Sequence, residues 1–364
     1  MNSLAQPTRK AFDEERFAQH EERYVNALND AGMLLMVSIG HRLGLFDAMH
    51  GAGPLSSSAL AHNTGLQERY VREWLGALVA GRVIENDPET NTYQLPDEWA
   101  ALLSSAAEVT MAVYAQFIPL LGKVEDDILH CFREGGGVPY ERYERFHEVM
   151  AEDSSQTVLA ALFDGILPLA EGIEQRLIQG IRVLDVGCGR GKALIEMATR
   201  FPASTFTGYD LSEEAIRWAQ DEAQKRGLEN IRFEVRDLTD FDQTAPEASF
   251  EFITTFDAIH DQAKPLNVLK GIRKALTPDG VYLAQDIRGT SHHHSDADHP
   301  MGAFLYAISC MHCMTVSLAQ GGEGLGTMWG RERALDYMQR AGFTRVGVHE
   351  LEHDIQNDYF VCRP

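Results

Sequence analysis

The 364-residue sequence predicts an α/β chain in two parts: a mainly α-helical, winged-helix-like N-terminal region, then a Rossmann-like domain on a parallel sheet. Three observations predict it. Apolar runs alternate with helical stretches through the second half. One of those runs opens into a helix through a glycine-rich loop. The N-terminal region carries a helix-turn-helix pattern followed by a hairpin pattern.

The alternation runs RVLDVG then KALIEMATRF, STFTGYD then SEEAIRWAQDEAQKRG, IRFEVRDL, FITTFDAI then PLNVLKGIRKAL, and VYLAQDI. TRVGVHEL and DYFVCRP add two final strands. Strand and helix in alternation imply parallel strands with helices on both faces.

In the N-terminal region, helical periodicity starts near Met33, with Ile39, Leu43 and Phe46 expected on one face beside Leu35 and Met36. Ser56, Ser57 and Ser58 suit the cap of a short helix, and Thr64-Gly65 a turn. A second helix follows with Val71, Leu75 and Leu78 on its apolar side and Gly81 at its end. VIENDPETNTYQL alternates around a polar turn and reads as a hairpin. Residues from about 104 to 180 look helical, with breaks at Gly135-Gly136-Gly137, Pro119, Pro139 and Pro168. The expected organisation is a winged-helix-like dimerisation domain over 1–103, a helical region covering the active site over 104–180, and a catalytic domain over 181–364.

Composition excludes several classes. A net charge of −22 opposes phosphate binding, and Glu68, Arg69, Arg72 and Glu73 cancel on the presumed recognition helix, so nucleic acid is not an expected partner. The N-terminus is polar and lacks a secretory stretch, no apolar run is expected to cross a bilayer, and five scattered cysteines make no disulfide framework. These readings point to a cytoplasmic protein with no membrane partner. The apolar stretch MLLMVSIGHRLGLF suggests a homodimer interface.

The chemistry centres on Val183-Leu-Asp-Val-Gly-Cys-Gly-Arg-Gly191. Gly187, Gly189 and Gly191 permit a tight turn and close ligand approach, and Asp185 sits in the strand before them. Asp210 ends the second strand, placed for a ribose diol, and Asp237-Leu238 end the third, where an adenine amino group is within reach. Dinucleotide enzymes use related loops, usually G-x-G-x-x-G, whereas this one is G-C-G-R-G. Cys188 reads as a small residue that fits the loop.

On these residues the sequence resembles the class I S-adenosylmethionine-dependent methyltransferases. The resemblance implies S-adenosyl-L-methionine as cofactor, with its amino-acid part on Gly187, Gly189 and Gly191. It also implies the ribose on Asp210, adenine at Asp237, and Asp185 ordering the loop. The same correspondence adds Leu211, Leu238 and Phe256 to the cofactor-binding set. From about residue 30 onward the chain resembles the plant-type small-molecule O-methyltransferases. It is similar, in RFHEVMAEDS, VLDVGCGRG, YDLSEEAI, HDQAKP and MHCMTVSLAQGGEGLG, to an actinobacterial-type branch of them. That family carries a His-Asp pair after the fourth strand whose histidine is the general base. Ala258-Ile259-His260-Asp261 occupies that place, although Gln262 stands where the plant-type enzymes commonly have Trp.

An imidazole titrating near ~6.5 can take a hydroxyl proton near neutrality. His260 is therefore the candidate catalytic residue; the alternative is that it only hydrogen-bonds the acceptor or caps the next helix. The acceptor is a small molecule whose reacting atom, oxygen, nitrogen, sulfur or carbon, is left open. Two other classes stay open as well: a regulator that senses S-adenosylmethionine, and an oxidoreductase.

Arg288 to Gly330 is expected to cover the acceptor, with Tyr306, His312 and Trp329 as substrate-binding residues and the glycines of GGEGLGTMWG as hinges. Phe304, Met311 and Met314 would add apolar lining, the competing view being a plain core helix. His292, His293, His294 and His299 lack regular ligand spacing and read as lid or solvated loop, so no metal is expected. Cys310 and Cys313 lie mid-helix among apolar residues and read as packing rather than a redox pair.

Overall fold

The computed structural model describes residues 12–106 and 110–364. The chain divides into two compact units, residues 1–118 and 119–364.

The first unit begins with α1 (Glu14–Arg42), a helix of 29 residues. The Asp13 carboxylate accepts from Arg16 N at 3.0 Å, Glu14 and Glu15 occupy the first turn, and His41 and Arg42 the last, each matching the helix dipole. Helix thus extends far upstream of Met33 because the polar stretch is made of strong helix formers and is well capped. The expected apolar face is corrected in turn. Gly44, in the left-handed region at φ 66°, breaks the chain before α2 (Leu45–Met49). Phe46 is consequently buried in α2, while Ile39 and Leu43 are exposed.

α3 (Ser57–Thr64) is capped by Ser56, whose hydroxyl accepts from Ala59 N, and stops at Gly65. α4 (Glu68–Ala80) stops at Gly81 and buries Val71, Trp74, Leu75 and Leu78. The Trp74 indole donates to the Met36 carbonyl at 2.8 Å, and a Cβ on Gly40 would meet that ring at 2.6 Å, so α1 and α4 close on each other there. β1 (Glu85–Asp87) and β2 (Thr92–Gln94) form the antiparallel wing, extended by a bridge between Leu55 and Tyr93. On α4, Arg69 pairs with Glu73 and Arg72 with Glu68, so its cations face its own carboxylates.

The second unit carries a seven-stranded sheet. Its strands are β3 (Arg182–Val186), β4 (Thr205–Asp210), β5 (Ile231–Val235), β6 (Phe250–Phe256), β7 (Leu276–Ile287), β8 (Arg345–Leu351) and β9 (Asp354–Arg363). The order is β5-β4-β3-β6-β7-β9-β8; the first five strands in that order run parallel, and β9 is antiparallel to both its neighbours, β7 and β8. Helices on both faces bury the central strands, which is why Val183, Leu184 and Val186 or Phe252 and Ile253 read as apolar runs rather than alternating ones. Strand order reverses between β3 and β6, and crevices at such reversals bind ligands beyond the carboxyl ends of the strands.

After β7 the chain forms the short helix His293–Asp296, the helix Gly302–Ile308, a π-helical turn Ser309–Cys313, the helix Met314–Ala319, a 3₁₀ turn Thr327–Trp329, and the helix Gly330–Arg340. Contrary to the expectation that no apolar run reaches membrane length, Gly302–Ala319 is an apolar stretch of 18 residues, long enough to cross a bilayer. Half of it is buried within the structure, and buried core helices meet the same criteria.

Candidate active site

The glycine loop leaves β3 at the strand-order reversal. Gly187, Gly189 and Gly191 all have positive φ, at 72°, 52° and 64°. A Cβ on Gly187 would meet Ala258 at 2.6 Å, and one on Gly191 would meet the Phe233 ring at 2.3 Å, whereas Gly189 faces open space. The outer glycines therefore seat the loop on the sheet, and the middle one leaves its backbone approachable. Gly187 N and Cys188 N donate to the Tyr209 carbonyl at 2.8 and 3.0 Å. Asp210, at the end of β4, accepts from Gly189 N at 2.7 Å through one oxygen and from Ser212 N at 2.8 Å through the other. Asp185 is buried in β3 and accepts from Thr254 Oγ1 at 2.8 Å across the β3–β6 pair. Burial lifts its pKa to about 7, against the Thr254 hydrogen bond.

Asp237 is exposed and accepts from Thr239 N at 2.9 Å, and Leu211 is exposed beside Asp210. Phe256 is half-buried at the end of β6. Leu238 is buried in the core that includes Tyr209 and Phe241.

His260 is buried three residues beyond Asp257, which has left-handed backbone (φ 53°) at the end of β6. Its Nδ1 lies 2.8 Å from Asp286 Oδ1 and 3.6 Å from Asp257 Oδ1. A carboxylate oxygen accepts, so Nδ1 is the donor to Asp286 and Nε2 is the nitrogen that can gain or lose a proton. Asp286 Oδ1 also accepts from Ile287 N at 2.9 Å and from Trp329 Nε1 at 3.0 Å. Burial opposes protonation of His260, but Asp286, with Cys313 adding to it, outweighs burial and lifts the imidazole well above its usual pKa. Burial likewise raises Asp257 to about 7, with His260 opposing. Among the described residues, Asp257, His260 and Asp286 are the one trio whose ligand atoms lie within 4.8 Å of each other. With three N–H donors already on Asp286 Oδ1, the trio is arranged as a hydrogen-bonded base.

A cluster of aromatic rings adjoins it. His312 sits in the π-helical turn, stacked on Phe146 at 3.5 Å between centroids and edge-on to Tyr143 at 4.6 Å. It is fully buried, neither ring nitrogen has a partner, and burial, then His147 and His260, holds its pKa well below the ordinary value. Tyr140 donates to Asp261 Oδ2 at 2.7 Å and stacks on His147. Tyr306 instead donates to Asp296 Oδ2 at 2.8 Å and lines an open depression with His293 and His299. Trp329 is 1% exposed and packs edge-on to Tyr337. All five cysteines are free, and burial pushes the Cys310 and Cys313 thiols up.

Sequence reasoning missed Asp286, Asp257, Tyr140 and His147. A signal existed for the two carboxylates: each is a lone charge at the carboxyl end of an apolar strand, in FITTFD and VYLAQD. No periodicity marks Tyr140, in the 3₁₀ turn Tyr140–Arg142, or His147, in the first turn of the helix Phe146–Thr157, and they meet the cluster only through tertiary packing.

Residues 31–105 match the Rv2258c-like winged HTH domain family, and residues 177–342 match the methyltransferase domain family. The chain is similar to the ubiquinone biosynthesis O-methyltransferase of Actinobacillus pleuropneumoniae, 33% identical over 114 residues, 30% of this chain and 47% of that protein. It is also similar to the 27-O-demethylrifamycin SV methyltransferase of Amycolatopsis mediterranei, 29% identical over 144 residues, 38% of this chain and 49% of that protein. The chain thus spans about half the length of the curated relatives it matches. In fold it resembles human N-acetylserotonin methyltransferase, with a TM-score of 0.64 at 17% identity, covering 98% of this chain and 99% of that one.

The neutral, unpartnered His312 has a measurable signature. In the unfolded chain it takes a proton as pH falls below ~6.5, and in the folded protein it resists. Stability is therefore lost on acidification, and His312→Phe removes that loss. Urea denaturation should show the variant gaining on the wild type by up to about 2 kcal/mol between pH 8 and pH 5. Parallel curves at the two pH values would contradict it.

Proposed function

We propose that this chain, in which a winged helix-turn-helix domain of the Rv2258c-like type precedes a methyltransferase domain, transfers a methyl group from S-adenosylmethionine to a hydroxyl of a small molecule. The observation that carries the reading is the meeting, at one strand-order reversal, of the Asp210-clasped glycine loop and the His260–Asp286 pair. The names of the two curated relatives support oxygen as the acceptor atom for one and a small-molecule acceptor for both.

The residues present fit that cofactor. Gly189 leaves backbone open beside Asp210, whose carboxylate can exchange a backbone partner for ribose hydroxyls, and Asp185 lies under the loop. Gly187, Gly191, Leu211, Asp237, Leu238 and Phe256 complete the proposed binding set. When bound, S-adenosylmethionine supplies a methyl group on a sulfonium centre, open to in-line attack by an oxygen. His260 Nε2 takes the proton of the attacking hydroxyl, and Asp286 steadies the resulting imidazolium through Nδ1. His312, in its aromatic cluster, and Tyr306 are proposed to meet the acceptor, with no metal required.

The partner is a small molecule rather than a nucleic acid, as the charge of −22 and the self-paired ions of α4 support. The setting is the cytoplasm, which keeps five free thiols reduced. A homodimer forms through α1, where Phe17, Tyr24, Leu28, Leu35 and Ile39 recur seven and four residues apart and are all exposed.

Calorimetry tests the cofactor assignment. S-adenosylmethionine should bind, and Asp210→Ala should bind at least roughly tenfold more weakly, because charge-assisted bonds contribute about 1.5–3 kcal/mol. Equal affinity would remove Asp210 from the site. Turnover tests the base. His260→Ala should lose ~10²–10⁴-fold with a hydroxyl acceptor and less with an amine or thiolate. The base must be unprotonated, so kcat/KM should rise with pH through a point above the usual histidine range, and Asp286→Asn should move that point down. A pH-independent rate would exclude the role. Light scattering should report a dimer that Leu28→Glu with Ile39→Glu converts to monomer; a monomeric wild type would refute the interface.

A further inference from the structure

The 3₁₀ turn Thr327–Trp329 is locked on both sides. Gly326 and Gly330 flank it with φ of 74° and 82°. A Cβ on Gly326 would meet Ser309 Oγ at 2.2 Å, and one on Gly330 would meet Ser291 N at 2.3 Å. Thr327 N donates to Ser309 Oγ at 3.1 Å, the Ser291 hydroxyl donates to the Trp329 carbonyl, and Arg331 N donates to the Gly289 carbonyl at 2.9 Å. These glycines admit close packing rather than hinge motion. Two separate stretches of the second unit, residues 289–291 and Ser309, thus hold a turn from which the buried indole N–H of Trp329 reaches Asp286 Oδ1.

That oxygen is the one that meets His260 Nδ1. Of the donors on it, Ile287 N belongs to the neighbouring residue and comes with the strand. Only Trp329 comes from outside β7 and the histidine itself, and the other oxygen, Asp286 Oδ2, is buried with no partner.

We propose that Trp329 is a positioning residue of the reaction, acting through Asp286: its indole N–H shares Asp286 Oδ1 with Nδ1 of His260 and draws off part of that carboxylate's charge. The proposal rests on His260 as the base. The charged and titratable groups facing His260 are Asp286 from β7, Asp257 and Asp261 from its own loop, and Cys313 and His312 from the π-helical turn. All three carboxylates favour the protonated imidazole, which is inactive as a base. A donor that shares Asp286 lowers the carboxylate's pull without removing it.

The test is a titration of His260 in protein labelled with ¹⁵N-histidine, without acceptor, assigned by its loss in His260→Ala. Trp329→Phe should raise the titration point of His260, whereas Asp286→Asn should lower it. With an acceptor, Trp329→Phe should lose roughly tenfold in turnover at pH 7, recover as pH is raised, and keep its affinity for S-adenosylmethionine. A purely structural role would lower activity at every pH and leave the titration where it was. Should Trp329→Phe misfold, benzothienylalanine at position 329 keeps the bicyclic shape and deletes only the N–H. An unmoved or lowered titration point in either variant overturns the proposal. If the point rises as expected but His260→Ala keeps full turnover, the coupling stands and the base reading is what fails.

Discussion

Asp286 is the constraint around which the second unit is arranged. A carboxylate this deeply buried is tolerable only if donors converge on it, and here they come from backbone, imidazole and indole onto a single oxygen. Each donor fixes a different piece of the fold. Ile287 N fixes the end of β7, His260 fixes the loop after β6, and Trp329 fixes the turn that ends the long segment after β7. The loop after β6, the end of β7 and the turn at Trp329 are thereby tied together on one oxygen, as Asp210 ties down the glycine loop.

Much of this was legible in sequence, and for identifiable reasons. Parallel strands buried on both faces must be continuously apolar, so β3 to β7 stand out, and a loop that packs two glycines against the sheet must contain them. His260 and Asp210 are legible because strand ends are where polar residues interrupt apolar runs. What escaped depends on direction rather than type. Trp329 reads equally well as a cavity wall or a core residue until the positive φ of Gly326 and Gly330 aims it. Ile39 and Leu43 share a helical period with Phe46, yet one left-handed residue, Gly44, separates buried from exposed.

The N-terminal unit completes the winged-helix pattern. Caps, turn and wing all form where expected. The helix that would enter a groove, however, spends its two arginines on its own glutamates, while the long first helix keeps an apolar stripe in solvent. Among the described residues, that stripe is what supports the proposed homodimer.

The acidity around His260 acquires a reason from charge balance. In the proposed transfer a positive charge leaves the methyl donor as the hydroxyl proton reaches Nε2, so the total charge of the site does not change; the charge only moves. Asp210 and Asp185 lie at the end where it starts, and Asp257, Asp261 and Asp286 at the end where it arrives. A site with carboxylates only near the glycine loop would hold the cationic donor and resist its discharge. Carboxylates at both ends lower that resistance, but too strong a pull at His260 would protonate the base before any substrate arrived. Burial of Asp257, which keeps its pKa near neutrality, and the sharing of Asp286 with Trp329 both moderate that pull. The dyad is thus held between two failures, an imidazole too weak to accept the proton and one already carrying it.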